Sequence, residues 1–269
     1  MGTVATSAGR MSFMETGTGA PVVLLHANLH DRRDFDPVVP RLAQRHRVIA
    51  LDWLAHGESD PVAEPDAMLF ADVLAEVAAA LDLPPAIVIG HSVGAYAAAR
   101  LAVDHPARVA GLVLVSPGGF SPRTFASRLF CRVLGAPGIA RRLMPRFVPY
   151  YMRPKTENDR LIAERVIARA QTDSGIRTFS SVWRSFTSDA YDLTSAASAI
   201  QAPTMIVCGA SDPVIPPQVG TRASQAIKGS RLAVLDTGHT VFSSDPRGFL
   251  SAVEPFISSV EHPAPCTPP

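Results

Sequence analysis

Cysteine is scarce, with three residues, Cys131, Cys208 and Cys266, scattered through 269. That excludes a disulfide framework and a CxxC metal site, and a reducing cytoplasm is the expected compartment. Charge of one sign is missing too. Lys plus Arg number 25 against 24 Asp plus Glu, a net charge of +1, so no bulk field draws the chain to nucleic acid or to an anionic membrane. Long apolar runs are also absent. The stretch from Leu83 to Ala99 is interrupted by Pro84, Pro85, Gly90 and His91 and cannot span a bilayer. The first residues carry neither a basic segment followed by an apolar one nor a small-residue cleavage site, so export is not expected. No GxGxxG and no Lys-bearing phosphate loop is present, and no cofactor or metal is expected. What the chain does have is apolar content, 47% of residues, enough for one large core.

Short apolar, β-branched runs at Val22–Leu25, Arg47–Leu51, Ala86–Ile89, Leu112–Val115, Thr204–Val207 and Leu232–Leu235 alternate with helix-like stretches. This rhythm predicts an α/β fold with a mostly parallel, doubly wound sheet. Thr3–Ala5 and Met11–Met14 flank Ser7-Ala8-Gly9 and predict an antiparallel hairpin ahead of it. Ala67–Leu81 has apolar residues at helical spacing, capped by Asp66 and stopped by Pro84-Pro85. Strand-like runs then vanish between Ser116 and Ala202. Helical, Arg- and aromatic-bearing segments replace them, so residues 117–202 are expected to form a helical insertion in a core made of 1–116 and 203–262. Residues 263–269, Pro-rich, are expected to be a flexible tail.

The chemistry concentrates at strand ends. Gly90-His91-Ser92-Val93-Gly94 follows an apolar run and opens into an Ala-rich helical stretch. A serine on a sharp strand-to-helix turn projects its hydroxyl, and the residues two before and two after must be tiny because the backbone passes so close. A hydroxyl is a weak nucleophile and needs a base, itself oriented by an acid. Asp212 lies just beyond the run Thr204–Val207, and His239 just beyond Leu232–Leu235, on the same sheet edge as Ser92. Asp236 is the lesser candidate acid, and Asp192 lies in the remote insertion.

These motifs, with His26-Ala27-Asn28 after the third strand and Asp52 to Asp60 after the fourth, resemble the α/β-hydrolase superfamily, in its serine-nucleophile members with a helical cap. The likeness spans nearly the whole chain. It implies a catalytic triad of Ser92, Asp212 and His239 in the chain order of that family. It also implies an oxyanion hole from the backbone N–H groups of Asn28 and Val93, with Ala27 where the family usually has Gly. His26 matches a loop-stabilising residue. His56 is assigned to a turn, His91 is expected to point away from Ser92, and His30, His46, His105 and His262 to sit on loops or helix ends.

The resemblance implies a serine esterase acting on a carboxylic ester, thioester or lactone of a small organic molecule. A carbon–carbon hydrolase of a β-diketone-like substrate and a slow or non-catalytic ligand receptor are the alternatives. Trp183, Phe186, Phe179 and Tyr191 are candidates for lining the substrate pocket. Arg123, Arg128, Arg132, Arg141, Arg142, Arg146 and Arg153 are read as solvated helix faces more readily than as an anion pocket. The expected partner is a small-molecule substrate, with no nucleic acid and no membrane, and the protein a monomer or homodimer.

Overall fold

The computed structural model describes residues 1–262, so the tail expected at 263–269 and Cys266 lie outside the described residues. Eight strands form one sheet: β1 (Gly2–Thr6), β2 (Gly9–Thr16), β3 (Ala20–Leu25), β4 (His46–Leu51), β5 (Ala86–His91), β6 (Val109–Val115), β7 (Thr204–Gly209) and β8 (Arg231–Leu235). The helices are α1 (Val39–Leu42), α2 (Ala67–Ala80), α3 (Val93–Asp104), α4 (Phe125–Leu134), α5 (Pro137–Met152), α6 (Glu157–Gln171), α7 (Asp173–Ser185), α8 (Pro217–Ala226), α9 (Val241–Ser244) and α10 (Pro246–Glu261).

Spatial order in the sheet is β1-β2-β4-β3-β5-β6-β7-β8. The hairpin β1–β2 is antiparallel and joins β4 antiparallel, and every other pairing is parallel. The side-chain period of two then splits each central strand between two cores. Val23, Leu25, Val88, Leu112, Leu114 and Ile206 face α2, α3 and α8. Val22, Leu24, Ile87, Ile89, Val113, Val115 and Val207 face α1, α9 and α10. Helix α2 begins where the sequence predicts, with the Asp66 carboxylate accepting from the Leu69 N–H at 2.7 Å.

Strand order reverses between β3 and β5, both of which neighbour each other while β4 lies outside β3. In such sheets ligands bind outside the carboxyl ends of the strands at that reversal. The loops there are His26–Leu29 after β3 and Ser92 after β5.

Between β6 and β7 lie helices α4 to α7, with a hydrophobic cluster of their own that includes Leu134, Met144, Val148, Tyr151, Ile162, Val166, Ile176 and Phe179. Helix α5 runs through Pro145 and Pro149. Proline at 145 has no N–H for the Arg141 carbonyl, which instead accepts from the Gln171 side-chain amide of α6 at 3.3 Å. The N-terminus of α6 is fixed to the core by a buried carboxylate. Asp159 caps Thr156 and Lys155 N–H groups at 3.2 and 2.9 Å and accepts from the Ser243 hydroxyl of α9 at 2.6 Å. Replacing it, as Asp159→Ala, leaves the buried Ser243 hydroxyl without its acceptor and removes the cap from two part-buried N–H groups, and should lower unfolding free energy by about 2–3 kcal/mol. Urea denaturation would measure this, and a change below about 0.5 kcal/mol, the level of an ordinary surface substitution, would contradict the assigned role.

Candidate active site

Ser92 joins β5 to α3 with φ +57° and ψ −112°, a conformation that non-glycine residues rarely adopt. Its N–H donates to the Val115 carbonyl of β6 at 2.9 Å, and its carbonyl accepts from Gly118 and Tyr96 at 3.0 and 3.1 Å. The turn also needs glycine on both sides. A Cβ at Gly90 would stand 2.3 Å from the Gly94 carbonyl oxygen, and one at Gly94 would stand 2.4 Å from that of Leu25. The tiny residues expected two before and two after the serine are thus required by three backbone segments passing one another.

The loops after β7 and β8 bring Asp212 and His239 together. His239 Nδ1 lies 2.6 Å from Asp212 Oδ2, and the Asp212 Oδ1 accepts from the N–H groups of Val214 and Ile215 at 2.9 and 3.0 Å. Three hydrogen bonds therefore fix that carboxylate, and both side chains are buried. The His239 N–H donates to the Tyr151 carbonyl at the end of α5, 3.0 Å away. Glycine is needed before it, because a Cβ at Gly238 would meet the Met152 carbonyl oxygen at 2.2 Å. Asp236 points elsewhere: it is exposed and pairs with Lys155 at 2.9 Å. Asp192 accepts from the Thr194 N–H at 2.9 Å.

Two cavities meet at Ser92. The larger, of about 620 Å³, is lined by Asn28, Val93 and Ser92 and by Cys131, Val182, Trp183, Phe186 and Ile215, with Arg123 and Ser127. The smaller, of about 330 Å³, is lined by Ser92, His239, Asn28, His30, Phe147, Tyr151, Phe179, Trp183 and Val214. Of the four aromatic candidates, Trp183, Phe186 and Phe179 line this space. Tyr191 lines neither cavity: its hydroxyl donates to Asp66 at 2.7 Å and its ring packs on Tyr96 and Phe186, which draws it toward α2. Of the insertion's arginines, Arg123 alone lines the larger cavity; it and Arg128 share Asp189 at 3.1 and 2.8 Å.

Residues 20–246 match the model of the alpha/beta hydrolase fold family. The chain belongs to this family. It is 28% identical over 281 residues to an uncharacterised protein of Mycobacterium tuberculosis, covering 94% of this chain and 79% of that one. It is 29% identical over 259 residues to the pimeloyl-acyl-carrier-protein methyl ester esterase of Neisseria meningitidis, covering 89% of this chain and 94% of the other. Among solved structures, an esterase from Rhodococcus superimposes with a TM-score of 0.79 at 25% identity, covering 96% of this chain and 98% of that one.

The family's loop after β3 is set here by two neutral histidines. His26 Nε2 accepts from the Trp53 N–H at 3.1 Å, and the Trp53 indole donates back to the His26 carbonyl at 2.8 Å. His56 Nε2 accepts from the Leu29 N–H at 3.0 Å while its Nδ1 donates to the Leu54 carbonyl at 2.9 Å. His56, assigned from sequence only to a turn, therefore holds Leu29 at φ +70°. Ala27 adopts no positive φ and meets no such demand, which is why a glycine is dispensable there. The Asn28 side-chain amide is occupied, donating to the Phe179 carbonyl of α7 at 3.0 Å.

His91, next to the serine in sequence, lines neither cavity at Ser92. Its Nε2 donates to the His239 carbonyl at 3.0 Å and its ring packs 4.5 Å from that of His239. The sequence reading missed His30. It is buried, bonded through Nδ1 to Asp34 and through Nε2 to the Tyr151 hydroxyl at 3.0 Å, and Asp34 also meets Arg165 at 3.1 Å. The signal was present as a histidine and an aspartate four apart in the loop after β3, His30 ahead of the 3-10 turn Arg32–Phe35 and Asp34 within it.

Burial holds His26, His56 and His91 below the ordinary imidazole pKa, with Arg169 acting in the same direction on His56 and His239 on His91. In the unfolded chain each takes up a proton near pH 6.5, and in the native state each does so only at lower pH. Their contribution to stability is thus complete above pH 6.5 and declines on acidification below it, each by up to about 1.4 kcal/mol per pH unit. Urea unfolding at pH 7 and pH 5.5 should show this fall before most carboxylates titrate. Equal stability at the two values would contradict it.

Proposed function

We propose that this α/β-hydrolase cleaves a carboxylic ester of a small organic molecule, with Ser92 as nucleophile, His239 as base and Asp212 as the acid that orients it. One observation carries the reading: Ser92, on its strained turn, lines the same cavity as His239, whose other ring nitrogen is bound 2.6 Å from the Asp212 carboxylate. The bond to Asp212 puts the proton of a neutral His239 on Nδ1 and leaves Nε2 free to accept one. Ser92 Oγ attacks the carbonyl carbon as His239 takes its proton, and His239 then delivers that proton to the departing alkoxide. Water, activated by His239, hydrolyses the acyl-enzyme and regenerates Ser92. Asn28 and Val93 line the cavity beside Ser92, and in this scheme their backbone N–H groups receive the oxyanion. The relative from Neisseria, named as a methyl ester esterase, supports an ester over a β-diketone as substrate.

A fluorophosphonate should label the wild type and not Ser92→Ala. His239→Ala and Asp212→Asn should each lower kcat by orders of magnitude on an ester panel, His239→Ala the more severely. Label mapped to Ser59 or Ser116, or near-wild-type turnover of Asp212→Asn, would overturn the assignment. Turnover of β-diketones but of no ester would replace the ester reading with the carbon–carbon one.

The oxyanion assignment is separable. With the Asn28 amide engaged by Phe179, the donor offered to substrate is the backbone N–H. Asn28→Ala keeps that N–H and should cost little in kcat, whereas Asn28→Pro removes it and should cost about 100-fold or more in a variant that still melts near the wild type. A large kcat loss in folded Asn28→Ala, with KM unchanged, would make the side chain the donor.

A further inference from the structure

The two cavities are not equivalent with respect to the bond that breaks. Both share Ser92, Asn28 and Trp183, but His239 lines the smaller one and not the larger. In the proposed acylation the Ser92 Oγ–carbonyl carbon bond forms, the carbonyl carbon–alkoxy oxygen bond breaks, and the serine proton passes through His239 to that oxygen. The alkoxy oxygen must therefore face His239, while the acyl group remains on Ser92 and extends to the other side. We infer that the smaller cavity receives the alcohol and the larger receives the acyl chain, making the substrate class short-alcohol esters of longer, predominantly apolar acids. This deepens the proposed ester hydrolysis and rests on it.

Volume and lining agree with this direction. The acyl side has about 620 Å³ against about 330 Å³ on the alcohol side. Val182, Phe186 and Ile215 give the larger cavity an apolar wall, suited to methylenes whose transfer from water is favourable. On the smaller cavity Tyr151 and His30 are hydrogen-bonded to each other at 3.0 Å, and His30 to Asp34, so this side of the space, beside the rings of Phe147, Phe179 and Trp183, is anchored on both core and insertion. A side anchored in this way does not recede for a longer alkyl chain, and the space beside it is about half that on the acyl side.

The test uses two ester series on the full chain: methyl esters of straight acids from two to ten carbons, and acetates of straight alcohols over the same range. Along the acid series kcat/KM should climb by up to about fourfold for each methylene still being buried. Along the alcohol series it should fall at least tenfold past propyl. Two variants cross-check the assignment. Phe186→Ala, on the larger cavity, should shift the acid profile to longer chains and leave the alcohol profile in place, and Val214→Ala, on the smaller, should do the reverse. A preference for long alcohols, profiles equal in both series, or Phe186→Ala moving the alcohol profile would overturn the partition with the ester reading intact. If no ester is turned over although a fluorophosphonate labels Ser92, the ester reading fails. The partition is then decided by labelling rates of phosphonates with the long chain on phosphorus or on the alkoxy oxygen: faster labelling by the first supports it and by the second overturns it.

Discussion

Everything at this sheet edge depends on three backbones packed against the turn at Ser92. A positive φ at a serine costs about 1–3 kcal/mol and persists only where its surroundings over-determine it. Here the determinants are the glycines at 90 and 94, which let the start of α3 approach β5 and the end of β3, and the bond from Ser92 N–H to Val115 of β6. The parallel pairing of β5 with β3 on one side and β6 on the other sets those approaches. So the hydrophobic alternation that assembles the sheet is also what positions the hydroxyl. The position at the reversal of strand order brings the loop after β3, with Asn28, to the same point.

The segment between β6 and β7 contributes more to the site than a roof. The end of α5 supplies the carbonyl that binds His239 N–H and lies so close that residue 238 can only be glycine. Immediately beyond, Lys155 pairs with Asp236 and Asp159 with Ser243, so α5 and α6 clasp the His239 loop before and after the imidazole. From the other side, α7 accepts the Asn28 amide through Phe179. Each clasp joins residues far apart in sequence, and those at Asp159–Ser243 and at the His239 N–H satisfy polar groups that burial would otherwise leave costly.

This separation explains what could be read from the chain alone. The strands were legible because their period of two is local, and Gly90 to Gly94 was legible because a turn of that shape admits few residues. The strand-end positions of Asp212 and His239 followed from the same rhythm. The contacts of His30 with Tyr151, of His56 with Leu29 and of Tyr191 with Asp66 were not legible, because each depends on how a helix of the insertion or a neighbouring loop packs. Helix α5 is a further case: two internal prolines argue against a helix locally, and the Gln171 amide that receives the freed Arg141 carbonyl lies 30 residues away. Tertiary partners override local propensity in such places, and they are where an insertion's shape is decided.

The two halves of the proposed chemistry are consequently anchored to different bodies. Ser92 is held by β6, α3 and the Gly118 turn, all belonging to the sheet and its immediate connections. His239 is held by Asp212 and His91 from the sheet side and by Tyr151 from α5. A displacement of α5 would therefore leave the nucleophile in its strained turn and move the imidazole's backbone support. The same displacement would carry the Tyr151 ring, which packs edge-on 5.5 Å from the imidazole, and would reshape the smaller cavity that His239 lines. Geometry at His239 and the size of the space beside it are thus coupled through one helix end, so under the proposed scheme the element that shapes that space also sets where a proton would be delivered.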